Sequence, residues 1–372
     1  EMGFAVDRCI AIVEERARHG SVFSFGAKPQ RLDDLCEAAF GYWGRQALFV
    51  LMNLLLLFAC SAYIILIGQS IEFLLQRAVF SPYRLCVIFV AAFFLPLTLV
   101  NDMARISRLS FLGVLAGLAC VSCICGSGLW AAAHATGQTY RAVPESASES
   151  GQVIAVFLFS FMFTPVAPTV RAEMEAPEEF GKAVVMSVRC VLGVYLLLAS
   201  VGYYAYGNAV AENVLDSIVA RPSPGSAATR PLFGGLAAAT ALIANLSVSY
   251  PIMMNVVARA VEGATFGSYS PLVRVALWAF AVCVGFFVPY FMQLLTLMSS
   301  VLVVAASIFV PVAVFWTLTW NEPPSNGWQR DAVKHSVAVL VGCIAACFGT
   351  YTAVLDLARA LEQPTHFWAY SK

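Results

Sequence analysis

Apolar residues run along this chain in long blocks separated by short polar connectors, the pattern of helices that meet lipid on all sides. Blocks of the length needed to cross a hydrocarbon core, about 17 to 25 residues, fall near 46–75, 85–101, 109–133, 152–170, 183–206, 232–258, 272–291, 293–319 and 335–358. The pattern predicts nine spans. The seventh and eighth form a near-continuous apolar run, parted at Pro289 and Gln293.

The fourth block differs from the others. Within the stretch Val153 to Lys182 it carries Pro165 and Pro168, three residues apart. Proline has no amide hydrogen and its ring clashes with the carbonyl four residues back, so Pro165 frees the carbonyl of Phe161 and Pro168 that of Thr164. A helix break is expected there. Unpaired carbonyls are not tolerated facing lipid, so they either line a cavity or are buried in a kinked, purely structural span. The freed carbonyls of Phe161 and Thr164, with the Thr164 hydroxyl, suit an ammonium group. A second half-helix beginning near Pro168 would turn its amide end, and a carboxylate's preferred dipole, toward the break.

The connectors divide the chain into a charged segment over 1–45, a membrane domain over 46–358 and a tail over 359–372. Segments 135–151 and 207–231 are rich in Ser, Gly, Ala and Pro, as exposed connectors are. With the first segment in the cytosol, fifteen Lys and Arg residues fall on that side, including Arg8, Arg171, Lys182 and Arg274, and seven on the other. That bias is the one expected of cytosolic loops.

Composition agrees. Hydrophobic residues make up 60% of the 372, charged residues 12%, and the mean hydropathy is +0.78, so the chain is an integral, multi-pass protein with the lipid bilayer as its surroundings. The plasma membrane and vacuolar or vesicular membranes are equally compatible with this. Zero net charge and a pI of about 7.1 give no basic footprint for nucleic acid. Of the eleven cysteines only Cys9 and Cys36 fall in a predicted loop, on the cytosolic side, so no disulfide framework is implied. Cys120, Cys123 and Cys125 share one span without His or carboxylate beside them and read as packing residues, not a metal site. No metal or cofactor is expected.

Other polar positions are few. Ser61 and Tyr63 on the first span, and Asn245, Ser247 and Ser249 on the sixth, either face a cavity or hydrogen-bond within and between helices. Glu173 and Glu175 follow the broken helix and read as a solvated end flanked by Arg171 and Lys182. No Asp, Glu, Lys or His lies at the middle of a span, so a coupling ion, H+ or Na+, is assigned to no residue. Gly113 and Gly117 have the spacing that lets two helices approach closely. His19, His134, His335 and His366 lie in connectors or at span ends without matched partners, which disfavours a membrane enzyme.

Several blocks occur in a shared order: Leu32-Asp33-Asp34-Leu35 running to Gly41-Tyr42-Trp43-Gly44-Arg45, Pro96-Leu97-Thr98-Leu99, and Phe159-Ser160-Phe161 with Pro168 and Glu173-Met174. Then come Gly202-Tyr203-Tyr204-Ala205-Tyr206-Gly207, Ser249-Tyr250-Pro251, Phe309-Val310-Pro311 and Gly349-Thr350-Tyr351. Together, over essentially the whole chain, they resemble the amino acid/auxin permease family of secondary transporters. The resemblance implies an all-α fold of eleven helices, ten of them in two inverted repeats of five, with substrate held where the first helix of each repeat breaks. On that match the nine spans are helices three to eleven, residues 4–18 resemble the tail of the second, and the first helix is absent, so the chain is expected to be inactive alone. Where relatives carry small residues after the Phe-x-Phe pair, this chain has Met162, Phe163, Thr164 and Pro165.

The resemblance implies secondary active transport of small, neutral amino acids by alternating access, with Phe161, Met162, Phe163, Thr164, Ser61 and Tyr63 as substrate-binding candidates. Asn245, Ser247 and Ser249 are candidates for an ion or for lining the cavity. An amino acid sensor of the same fold, binding without transport, is the alternative.

Overall fold

The computed structural model describes residues 2–18, 31–75, 83–100, 103–134, 138–141, 143, 147–162, 167–211, 213–219, 232–265, 269–288, 290–320 and 328–362. These are helical almost throughout, with no strand among the described residues. In chain order the helices are α1 (Met2–Arg18), α2 (Leu32–Leu75), α3 (Tyr83–Leu99), α4 (Met103–His134), α5 (Ala147–Ser160), α6 (Ala167–Glu173), α7 (Phe180–Tyr206) and α8 (Val214–Val219). They continue with α9 (Leu232–Thr265), α10 (Pro271–Phe287), α11 (Phe291–Met298), α12 (Val310–Thr319) and α13 (Trp328–Glu362). Among the described residues six stretches are long and apolar enough to cross a membrane, in α2, α4, α7, α9, α11 through α12, and α13; α3, α5 and α10 are shorter apolar helices. Every predicted span overlaps one of them, and the apolar run around Pro289 does divide, between Phe287 and Phe291.

Residues 2–18 and 32–45 are helical where a charged connector is expected from the sequence. α1 is a full 17-residue helix, and α2 begins at Leu32. Gly41 interrupts α2 at φ 71°, ψ −163°, a left-handed conformation that a side chain would resist. The expectation that Cys9 and Cys36 are loop cysteines is therefore corrected. Both sit on helices and are 1% and 3% exposed, because each lies on the apolar face of its helix.

The chain forms two compact units. The first comprises Glu1–Leu55, Glu145–Cys190 and Gln293–Arg359. Its core gathers Val6, Cys9, Ile10 and Val13 of α1, Leu35 and Leu48 of α2, Ala167, Phe180, and Val314, Phe315 and Leu318 of α12. The second comprises Leu56–Pro144, Val191–Met292 and Ala360–Lys372. One of its cores joins Cys60, Ile64, Phe94, Leu246, Tyr250 and Met254, with Tyr250 stacked on Phe94 at 4.2 Å between ring centres. Another joins Ala131, Ala205, Leu215 and Ala238.

Within the second unit Gly113 and Gly117 serve close helix packing, as their spacing predicts. A side chain at Gly117 would stand 3.1 Å from Asn245 Nδ2, and one at Gly113 would stand 3.3 Å from Val248. Gly207, at φ 56°, closes α7 where its backbone meets Thr139, whose carbonyl accepts the Asn208 amide at 2.9 Å. The tyrosines of the Gly202–Gly207 block fasten residues 138–141 onto this end: Tyr140 donates to the Tyr204 carbonyl and Tyr203 to that of Arg141.

Candidate functional site

The broken helix lies in the first unit. α5 ends at Ser160, and its last turn tightens. Phe161 N–H donates to Phe157 O at 3.3 Å, then Met162 N–H reaches back only three residues, to Phe159 O at 3.1 Å. The helix resumes at Ala167. Phe163, Thr164 and Pro165, predicted as site residues, lie outside the described residues. Phe161 and Met162 are half-buried, and the Phe161 ring leans on Phe157 at 4.8 Å. Pro168 is buried one position inside α6, where its missing amide hydrogen costs nothing because the first helical turn has no acceptor for it. α6 has only seven residues, so its dipole is smaller than that of a full-length helix.

The two half-helices are held by different means. α5 is packed by small residues: a side chain at Gly151 would fall 2.2 Å from Phe348 Cβ, and one at Gly349 would fall 2.9 Å from Ser300 Cβ and 3.1 Å from Ala155 Cβ. Beside this crossing Ser300 Oγ and Thr350 Oγ1 share a 2.9 Å hydrogen bond. The facing segment is π-helical over Ser299–Val303 and again over Ala305–Phe309, a widening of the backbone that recurs at functional sites. It carries the buried hydroxyls of Thr296, Ser299, Ser300 and Ser307. α6 is held by the buried Ala167 and by charge. Arg171 Nε stands 2.6 Å from Asp7 Oδ1, and its Nη1 donates to Glu14 Oε1 at 3.3 Å, both acids being on α1. The pattern that made Arg171 look like a solvated flank gave no sign of these partners.

The remaining predicted residues lie in the second unit. Ser61, fully buried, donates to the Leu57 carbonyl of its own helix at 3.1 Å. Tyr63 packs at the edge of the core around Cys60 and Tyr250. Asn245 Nδ2 donates across to the Gly113 carbonyl of α4 at 2.7 Å, Ser249 donates to the Asn245 carbonyl at 2.9 Å, and Ser247 is half-buried. The core thus brings Tyr63 near Leu246 and Tyr250, while Ser61, Asn245 and Ser249 are each engaged with backbone. Pro251, inside α9, deprives the Ser247 carbonyl of its usual donor. One turn on, Asn255 donates to the Pro251 carbonyl at 3.0 Å. Tyr250, whose hydroxyl is buried with no hydrogen-bond partner among the described residues, entered the sequence reading only as part of the Ser249-Tyr250-Pro251 block, because a Tyr in an apolar run reads as packing.

A buried charge network escaped the sequence as well. Arg274 was placed with the cytosolic charges, yet it is fully buried and paired with Glu262. A Glu near the end of one apolar block and an Arg just inside the next was the available signal. Among the described residues no cluster of His, Cys, Asp or Glu could hold a metal ion.

Comparison with known proteins follows the same lines. The family described as transmembrane amino acid transporter protein matches residues 14–355. The chain belongs to this family. The chain is 27% identical over 205 residues to the amino acid transporter AVT3C of Arabidopsis thaliana, covering 55% of this chain and 44% of that one. It is 24% identical over 349 residues to AVT1D, covering 89% and 60%, and 23% identical over 346 residues to AVT1J, covering 87% and 76%, both from the same plant. It thus spans between two fifths and two thirds of the first two relatives. In this family of transporters, the all-helical fold and the apolar helices are those of an integral, multi-pass membrane protein.

Proposed function

We propose that the protein moves small, neutral amino acids across its membrane by alternating access, with the substrate held at the break between α5 and α6. Supporting this is the end of α5 at Ser160, with Phe161 and Met162 outside the helix, next to a sequence that carries Pro165 and Pro168. The residues from Phe161 to Thr164 supply main-chain carbonyls to a substrate ammonium group, and the Thr164 hydroxyl adds a further acceptor. Met162, half-buried beside the end of α5, takes space that a smaller residue would leave open and so favours small substrates. In keeping with this, the related AVT proteins are named amino acid transporters.

The test uses the full-length protein in proteoliposomes. Saturable uptake of labelled neutral amino acids is expected, and Pro165→Ala, which restores a donor to the Phe161 carbonyl, should weaken substrate binding about tenfold or more while expression is retained. Unchanged affinity would return Pro165 to a structural kink. Binding without uptake would identify a sensor.

A further inference from the structure

We infer that α1 is a charged latch on α6, and that its release lets the half-helix beyond the break move. The inference rests on the reading of the α5–α6 break as the substrate site. α1 is an amphipathic helix that presents Ala5, Val6, Cys9, Ile10 and Val13 to the core of the first unit, at spacings that put them on one face. Four of its charged residues reach neighbouring elements. Asp7 and Glu14, seven residues apart and so on one side of α1, both face Arg171 of α6. Arg8 pairs with Asp331 of α13 at 2.9 Å and lies over the Phe315 ring. Arg16 donates at 2.6 Å to the Leu318 carbonyl near the C-terminal end of α12, where a cation is favoured. α1 therefore ties α6 to α12 and α13.

The kind of contact matters more than its presence. α5, on the other side of the break, is locked by the Gly151, Ala155 and Gly349 crossing, which has no side chains to rearrange. α6 shares the buried Ala167 with the core of α1, and beyond it meets α1 through long side chains that are 18% exposed for Arg171, 38% for Asp7 and 22% for Glu14. The Arg171 Nε–H lies close to Asp7 but is not directed at it, so the pair is held by charge and not by hydrogen-bond geometry. Pairs this exposed are weak enough to open and re-form. One half-helix is fixed and the other releasable.

The experiment follows labelling of a cysteine at the break, Met162→Cys, by maleimide in full-length protein, peptide by peptide by mass spectrometry. Arg171→Gln, and separately Asp7→Asn with Glu14→Gln, should raise the labelling rate roughly two- to thirtyfold, the range two such pairs can supply. Arg171→Glu combined with Asp7→Lys and Glu14→Lys should return it toward the parent rate, and Arg171→Lys should change it little. Thermal stability of each variant is measured alongside. A labelling rate that does not move, or that rises only where the protein also loses its cooperative melt, overturns the latch, as does failure of the charge swap to restore it. Protection of Met162→Cys by saturating amino acid is read separately. Its absence with the latch effect intact removes the substrate site and leaves the latch standing.

Discussion

Arg274 and Glu262 form a two-pronged ion pair, Nε to Oε1 at 2.8 Å and Nη2 to Oε2 at 3.1 Å, with side chains 0% and 5% exposed. Two charges removed from water are costly unless every donor finds an acceptor. Here Nη1 also donates to the Asn255 side chain at 2.7 Å and to the carbonyls of Thr98 and Val100 at 3.0 and 3.2 Å, and the guanidinium lies over the Tyr269 ring. Those two carbonyls belong to the end of α3, which a buried cation caps. One side chain thus joins α3, α9 and α10.

Removing one partner should cost more than removing both. Glu262→Ala leaves the guanidinium buried beside unmatched acceptors and is expected to lower stability by about 3–5 kcal/mol, read as the loss of a monodisperse peak on heating in detergent. Arg274→Lys keeps the charge but cannot span the same acceptors, and should be nearly as harmful. A cost below about 1 kcal/mol for Glu262→Ala, the range of exposed pairs, would mean that water reaches the guanidinium.

Why this network was hidden in the sequence, when the apolar helices were not, is a matter of what each leaves in the chain. A span is a long apolar run, so α4 or α13 can be read from composition alone. The end of α5 at Ser160 is in keeping with Pro165 and Pro168, which lack an amide hydrogen wherever they stand. Gly113 and Gly117 announced a close approach, though not that Asn245 of α9 would be the partner. Arg171 announced nothing and Arg274 little beyond its place after Glu262, since a cation at the edge of an apolar run is ordinarily solvated, and only tertiary contacts reveal the acids opposite. The π-helical stretches after Met298 have no marker either. Their residues, mostly Ser, Ala and Val, would equally suit an α-helix.

Cysteine chemistry distinguishes α1 as a packed helix from α1 as a connector. Burial pushes the Cys9 thiol up to about 12, against a partial counter-effect of Arg8. The folded protein then holds almost no thiolate at Cys9 at neutral pH, and the nucleophile in maleimide addition is the thiolate. Cys9 and Cys36 should remain unlabelled from either side of the membrane, in sealed and in permeabilised vesicles alike, and react only after denaturation. Prompt labelling on permeabilisation would mean that α1 does not stay docked.

Asn245 separates a packing role from a cavity role. If its amide serves mainly the Gly113 carbonyl, Asn245→Ala should cost about 0.6 to 1.7 kcal/mol of stability, the range for hydrogen bonds between membrane helices. Uptake affinity should be unchanged. A tenfold rise in KM with unaltered melting would place Asn245 against the transported substrate instead.

The crossing of α5 with α13 yields the sharpest steric test. A side chain at Gly151 would lie 2.2 Å from Phe348 Cβ and 3.1 Å from its carbonyl carbon, and real Cβ atoms do not approach so closely. Because the collision is with a Cβ and not with the ring, shortening Phe348 to alanine gives no relief. Gly151→Ala is expected to cost about 1–3 kcal/mol by forcing the two backbones apart. Adding Phe348→Ala should leave that penalty in place, whereas Phe348→Gly should recover most of it after correction for the Phe348→Gly single variant. The three backgrounds are compared by thermal melting of the purified protein. Since α5 leads directly into the break, the displacement should also weaken substrate binding in Gly151→Ala, and Phe348→Gly should restore binding together with stability. Recovery by Phe348→Ala instead would mean that the ring, not the main chain, sets the distance between these helices.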